Sequence, residues 1–387
     1  MPFDFDTPID RSGTATVKYE RRAARFGQAD VLPLWVADMD FATPPCVVSA
    51  LTARCAHPIY GYTIVPESAV QAVADWQLRR HGWCIDPDWV LIGPGLLPLY
   101  AACITAYTRA GETVALPTPV YDPLFAIPQR LDRQVLRLPL IQAGGLQALD
   151  GASWARMLTP GTRLLVLCSP HNPGGRVWRT EELAALGELA QRHDLLIISD
   201  EIHADLVYPG HRHQPIASLT PQLAARTITL GSPGKTFNTA GLATAYAIVP
   251  DAALRALLQQ AMQAHGLEGP NLFGLAALVA AYREGGPWLE ALIAYLRGNR
   301  DHTLAWLAQH LPLVRPHPPE ASFLLWLDCR ALGLTDDELM RRLVAAGLGL
   351  TPGRQFGPEG SGFVRLNYAL PRARLDEALT RLAIALK

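Results

Sequence analysis

Neither sign of charge is in excess in this chain. Its 387 residues include 34 Lys and Arg against 35 Asp and Glu, a formal net charge of −1 at pH 7. That balance gives no global field for nucleic acid or an anionic membrane surface, so the expected partners are small molecules or a second copy of the chain. Long apolar runs are missing too: none approaches the ~20 residues of a membrane helix. The opening "MPFDFDTPIDR" has neither the basic stretch nor the apolar stretch of a signal peptide. The six cysteines (Cys46, Cys55, Cys84, Cys103, Cys168, Cys329) show no C-x-x-C or paired metal spacing. Several lie in settings such as "LLVLCSP", where a cysteine is usually a small core residue. Together these absences predict a cytoplasmic protein with reduced thiols and no bound metal.

What the chain does have is core material. Hydrophobic residues make up 49% and charged ones 18%, with no low-complexity tract or repeat. Seven short apolar segments recur: 89–93, 113–117, 134–140, 163–169, 194–200, 226–232 and 244–250. Helical stretches separate several of them, notably "LPLYAACITAYT" and "TEELAALGELAQRH". Continuous apolar strands alternating with helices predict an α/β fold with a mainly parallel seven-stranded sheet covered on both faces. Near residue 285 the pattern changes to a long amphipathic helix, then strands "SFLLWLD" and "GFVRLNYA" and two more helices. The expected organisation is a large domain over 46–284 and a smaller α/β domain over 285–387. Residues 1–45 would form an arm or part of the small domain.

Four polar stations stand at the ends of apolar segments. "LIGPGLLPLYAAC" runs strand, glycine turn, helix, which presents free N–H groups where a phosphate binds well. "CSPHNPGGRVW" offers Asn172; "IISDEIHADLVY" offers Asp200, Glu201 and His203; "LGSPGKTFN" offers Ser232 and Lys235. Each has an ordinary alternative. A strand–glycine–helix turn is common in α/β proteins, an Asp at a strand end is more often a helix N-cap, and an Asn between prolines can simply make the turn. Lys235 could be a loop lysine reaching solvent, or a desolvated amine used as a nucleophile. "HRH" (211–213) lacks a third metal ligand and is expected at the surface. Only the combination is specific.

With that combination the chain resembles a family. The carrying stretches are "LPLWVADMDFATPP" (32–45), "YGYT" (60–63), "GPGLLPL" (93–99), "TPVYDPLF" (118–125), "SPHNPGGRVW" (169–178), "SDEIHADLVYPGHRH" (199–213), "SPGKTFNTAGL" (232–242) and "GFVRLNYALPR" (362–372). In this order they resemble a fold-type I pyridoxal 5'-phosphate (PLP) enzyme of the class I/II aminotransferase superfamily, and within it the C–S β-lyase branch called MalY/PatB. The resemblance implies roles. Lys235 would hold PLP as a Schiff base and later remove the Cα proton. Asp200 would keep the pyridine nitrogen protonated, Asn172 and His203 would face the ring's phenolic oxygen, and Tyr121 would stack on the ring. The phosphate would rest on the amides of Leu96 and Leu97, on Ser232 and on Tyr62 from a second subunit, which implies a homodimer. Arg365, helped by Asn172 and the backbone of Ala37, would bind the substrate carboxylate.

Two departures bear on the reaction. The family usually has Ser-x-Ser-Lys where this chain reads Ser232-Pro233-Gly234-Lys235. Aminotransferases usually carry a phosphate-binding arginine eight residues after the lysine; here that residue is Ala243, and the lyase branch also tends to lack the arginine. The implied activity is therefore β-elimination from an L-cysteine S-conjugate such as cystathionine or a cysteine sulfoxide. An aminotransferase is the alternative, and a PLP-binding regulatory protein with incidental catalysis is a third reading.

Overall fold

Apolar, β-branched stretches place seven strands in one sheet, in the computed structural model that describes residues 3–143 and 146–387. The spatial order is Val90–Gly93, Ala245–Ile248, Thr227–Gly231, Leu196–Asp200, Thr162–Cys168, Thr113–Thr118 and Gln134–Pro139. Alternation along the strands feeds two cores. Leu164 and Val166 pack on one face with Leu99, Tyr100 and Cys103 of the helix Leu96–Tyr107. Leu165 and Leu167 pack on the other with Leu183, Leu186 and Leu189 of the helix Thr180–Arg192. The second helix starts where Glu182 accepts the N–H of Arg179 at 2.9 Å.

Direction decides where a site can form. Ala245–Ile248 runs antiparallel to both of its neighbours, and the other six strands run parallel to one another. Their carboxyl ends therefore share one edge of the sheet, the edge where ligands bind in open α/β folds. The single reversal follows from the short connection 232–244, too short for a parallel crossover. That connection carries Lys235.

A second sheet of four antiparallel strands orders Arg315–His317, Leu324–Asp328, Phe363–Asn367 and Thr351–Pro352. The long helix Gly286–His310 and the terminal helix Arg372–Leu386 bury Leu289, Leu292, Leu375 and Leu379 in its core. The first residues, which show no sheet periodicity, contribute Leu32–Pro33, paired in parallel with Leu348–Gly349. Two residues are too few to reveal a period. The hairpin pairing Ile141–Ala143 with Leu146–Ala148 is likewise absent from the sequence reading. No helix among the described residues is long and apolar enough to cross a membrane, and no group of three or more His, Cys, Asp or Glu there is placed to hold a metal ion.

Candidate active site

The central strand ends on Asp200, which is 3% exposed. One carboxylate oxygen accepts the N–H of Ile202 at 3.2 Å. Burial pushes this carboxyl up to about 7; the Ile202 bond opposes the rise and the neighbouring Glu201 charge adds to it. One strand away, the chain leaves Thr227–Gly231 and turns at once into the single helical turn Pro233–Thr236. Ser232 caps that turn: its Oγ accepts from the Gly234 N–H at 3.0 Å and donates to the Thr244 carbonyl at 2.7 Å. The cap aims Lys235 inward, and its Nζ donates to the carbonyl of Ala37 at 2.5 Å. Burial lowers the ammonium to about 8; Asp38 opposes this, Arg365 adds to it and Asp200 opposes it. An amine near neutrality is available as a nucleophile or base around physiological pH.

Arg365 enters from the second sheet, on Phe363–Asn367, and is 4% exposed. Nη2 donates to the Trp35 carbonyl at 2.7 Å and Nη1 to Asn172 Oδ1 at 3.0 Å, with the guanidinium 5.0 Å above the Phe356 ring. Its Nε is buried without a partner, and no carboxylate of the described chain pairs with it. Burial lowers it to about 10. A buried guanidinium with a spare donor and no counter-ion is chemically suited to pair with a carboxylate.

Asn172 follows Thr162–Cys168, and its own carbonyl accepts the Tyr121 N–H at 3.1 Å. With Oδ1 committed to Arg365, its NH₂ group is left to donate into the site. His203 is 2% exposed, and its Nδ1 has no partner. Burial lowers it to about 3, with Lys235 and Arg365 adding, so the ring is neutral. The helix Leu96–Tyr107 points its first amides, those of Leu96 and Leu97, at the same space, entered through Gly95 at φ 133°.

One cavity of ≈ 580 Å³ unites these groups: Ala37, Leu96, Leu97, Tyr121, Asn172, Asp200, His203, Ser232, Lys235 and Arg365 all line it. Tyr62 does not. It is fully exposed in an exposed run with Ile59, Tyr60 and Ile64, so one chain alone does not bring it to the cavity.

Sequence reasoning missed the layer behind these side chains. Asn238, three residues after Lys235, donates to the carbonyls of Met39 and Phe41 at 3.0 and 2.9 Å and accepts the Met39 N–H at 3.0 Å. Asn367, two after Arg365, donates to the carbonyls of Val36 and Asp38 at 2.8 and 2.7 Å. The segment 35–41 is thus clamped from both sides. Buried Lys18 reaches Asp40 at 2.8 Å, and Arg11 pairs with Asp38 and Asp40 at 2.8 and 2.6 Å. Behind Asp200 and Lys235 lie two acid–histidine pairs. His213 meets Glu201 at 2.8 Å, and His81 meets Asp205 at 3.0 Å while Asp205 also accepts from Thr236 at 2.7 Å. The expected surface position of "HRH" is corrected for His213, which is 3% exposed. Its polar loop folds back so that the imidazole covers the Glu201 carboxylate. Asn238, Asn367, Asp205 and His213 lie inside the stretches that carry the resemblance, Glu201 is already a candidate there, and Arg11, Lys18 and His81 lie outside those stretches with no sequence signal.

Residues 29–382 match the model of a family described as aminotransferase class I and II. The chain is 41% identical over 385 residues to the cystathionine beta-lyase PatB of Bacillus subtilis, covering 99% of this chain and 100% of that protein. Among solved structures, it is similar to a PLP-bound putative aminotransferase from Clostridium difficile (TM-score 0.98, 37% identity, 100% of both chains). It is also similar to a PLP-bound C–S lyase from Staphylococcus hominis complexed with L-cycloserine (TM-score 0.93, 30% identity, 100% of this chain and 98% of that one).

Proposed function

The chain belongs to the aminotransferase class I and II family, and we propose that within it this protein is a PLP-dependent carbon–sulfur lyase acting by β-elimination on L-cysteine S-conjugates. The observation that carries the reading is the convergence of Lys235, Asp200, Asn172 and Arg365 on one cavity at the carboxyl edge of the sheet. The donor set fits PLP. Asp200 is a buried carboxylate whose raised pKa suits it to a protonated ring nitrogen, the amides of Leu96 and Leu97 suit a phosphate, and Lys235 is an amine of lowered basicity facing both. When bound, that cofactor supplies an electron-withdrawing ring able to take up the charge left at Cα once its proton is removed.

The chain's own residues do the rest. Arg365 and the Asn172 NH₂ group hold the α-carboxylate. Ala37 gives its carbonyl to Lys235, so its share of carboxylate binding falls to its N–H. Lys235 takes the Cα proton, and the thiolate leaves from Cβ. The 2-aminoacrylate so freed hydrolyses to pyruvate and ammonia. Ser232 sets the turn that aims Lys235 and would help hold the phosphate, while neutral His203 and Tyr121 would hold the ring. Tyr62 would hold the phosphate from the partner of a homodimer, a reading supported by its exposure beside Ile59, Tyr60 and Ile64. The working division keeps 46–284 as the cofactor domain and 285–387, with 1–45, as the smaller one.

Elimination rather than transamination is supported by Ala243 at the position of the aminotransferase arginine and by the name of the Bacillus relative. A product assay over a panel of cysteine thioethers tests it, scoring pyruvate and thiol. Sedimentation at assay concentration tests the dimer; an active monomer would remove the role given to Tyr62.

A further inference from the structure

Once the groups for cofactor and α-carboxylate are assigned, part of the cavity wall is left over. It includes Trp35, Asp122 and Gln355, beside Tyr121, already assigned to the cofactor ring, and Phe356, already under Arg365. This remainder is the space open to whatever is attached to the substrate's sulfur. Its charge is one-sided. Lys235 and Arg365 are the only Lys or Arg lining the cavity among the described residues, and both are already engaged. Asp122 is the one charged group that the proposed reaction does not use.

Asp122 is also free to act. It stands at the N-cap of the helix Pro123–Arg130, where an Asp ordinarily accepts an N–H of the first turn, yet it makes no such bond. Among the described residues its carboxylate has neither a hydrogen bond nor an ion pair, and partial burial raises its pKa, with distant Arg130 opposing. Arg354, next in sequence to the cavity residue Gln355, does not line the cavity and is bound to Asp336.

Resting on the lyase reading, we propose that Asp122 is a specificity-determining residue that selects cysteine S-conjugates whose sulfur substituent carries a cationic, hydrogen-bond-donating nitrogen. Such a substituent, an ammonium or an imidazolium, pairs with the carboxylate. An anionic substituent meets Asp122 with no second cation to offset it, so the wall also discriminates by repulsion.

The test compares S-(2-aminoethyl)-, S-propyl- and S-carboxymethyl-L-cysteine on the PLP-loaded enzyme, by kcat/KM for thiol release. The expected order is aminoethyl, propyl, carboxymethyl, with about tenfold or more between the first two. Asp122→Asn should collapse the aminoethyl-to-propyl ratio to near one, and Asp122→Lys should invert the order towards carboxymethyl. Equilibrium binding of L-lysine and L-glutamate, which have no leaving group at Cβ, gives a readout independent of elimination. Lysine should perturb the cofactor absorbance at lower concentration than glutamate, and Asp122→Asn should erase the difference. Thiol release without charge preference, or a preference that survives Asp122→Asn, overturns the inference and leaves the lyase reading standing. Absence of thiol from every conjugate, with the lysine preference intact and Asp122-dependent, overturns the lyase reading and leaves Asp122 as the selector.

Discussion

The floor and the wall of the cavity are built in different ways. The floor comes from strand ends of the large sheet: Asp200 is the last residue of its strand, Asn172 and Lys235 follow theirs by a few residues, and each acts through its side chain. The wall around Arg365 comes from the second sheet and from the segment 35–41, and much of what that segment offers is backbone. The Trp35 carbonyl holds Arg365 and the Ala37 carbonyl holds Lys235. A floor residue set by a strand end needs little else to place it. A wall built of carbonyls needs a clamp, and Asn238 and Asn367 provide it. The difference predicts a division of labour in which floor substitutions lower turnover and wall substitutions raise KM.

The largest effect belongs to Lys235→Ala. With no other amine lining the cavity, pyruvate release should fall by on the order of 10⁴-fold or more. Borohydride reduction followed by peptide mapping should place the cofactor on Lys235 in the wild type, and finding it on another lysine would break the assignment of the floor.

Asp200→Ala should cost about 10³-fold in turnover, equivalent to about 4 kcal/mol; a variant within tenfold of wild type would mean that another carboxylate does this work. The same residue makes a pH prediction for the cofactor-free protein. Its folded pKa is raised from 3.8 to about 7, so its favourable contribution is complete below the ordinary carboxylate range and is lost as pH rises through about 7. Asp200→Asn should therefore melt at a higher temperature than the wild type above pH 7. The gap should close as the pH falls below that value.

Arg365→Ala sharpens the contrast on the wall side. It removes a charge-assisted receptor and strips the Asn172 and Trp35 oxygens of donors, so KM should rise by about 10²-fold for every substrate. Arg365→Lys should recover little, because one ammonium cannot serve Asn172, Trp35 and a carboxylate together. An equal loss in kcat with KM unchanged would contradict the division.

The clamp carries the smallest expected effect. Asn367→Ala orphans the carbonyl of Val36, leaves that of Asp38 only Lys18 Nζ at 3.3 Å, and should cost about 2 kcal/mol of stability, with KM rising several-fold and kcat nearly kept. Asn238 sits at φ 57°, where asparagine is tolerated better than alanine. Comparing Asn238→Gly with Asn238→Ala by thermal melting separates lost hydrogen bonds from backbone strain.

The same contrast explains what could be read from the chain. Strand positions and a mainly parallel sheet follow from the apolar runs; the one antiparallel strand, set by the short 232–244 connection, emerges only in the fold. Asp200, Asn172 and Lys235 stand out because a polar side chain at the end of an apolar run is conspicuous. The clamp is silent, since Asn238 and Asn367 are ordinary amides until the fold sets them against carbonyls some 200 and 330 residues away in sequence. His213 is silent for a related reason: a Pro/Gly-rich loop gives no sign that it folds back onto Glu201. The free carboxylate of Asp122 is visible only as a bond that a helix N-cap ordinarily makes and this one does not.

One measurement tests the central claim most directly. The PLP-loaded enzyme is given a single cysteine thioether with no keto acid, and pyruvate and thiol are counted per protomer. Elimination leaves the enzyme ready for the next substrate, so the account predicts both products in equal amounts, rising to on the order of 100 equivalents within minutes. A reaction that stops near one equivalent, releases no thiol and resumes only when a keto acid is added would contradict it and establish an aminotransferase instead.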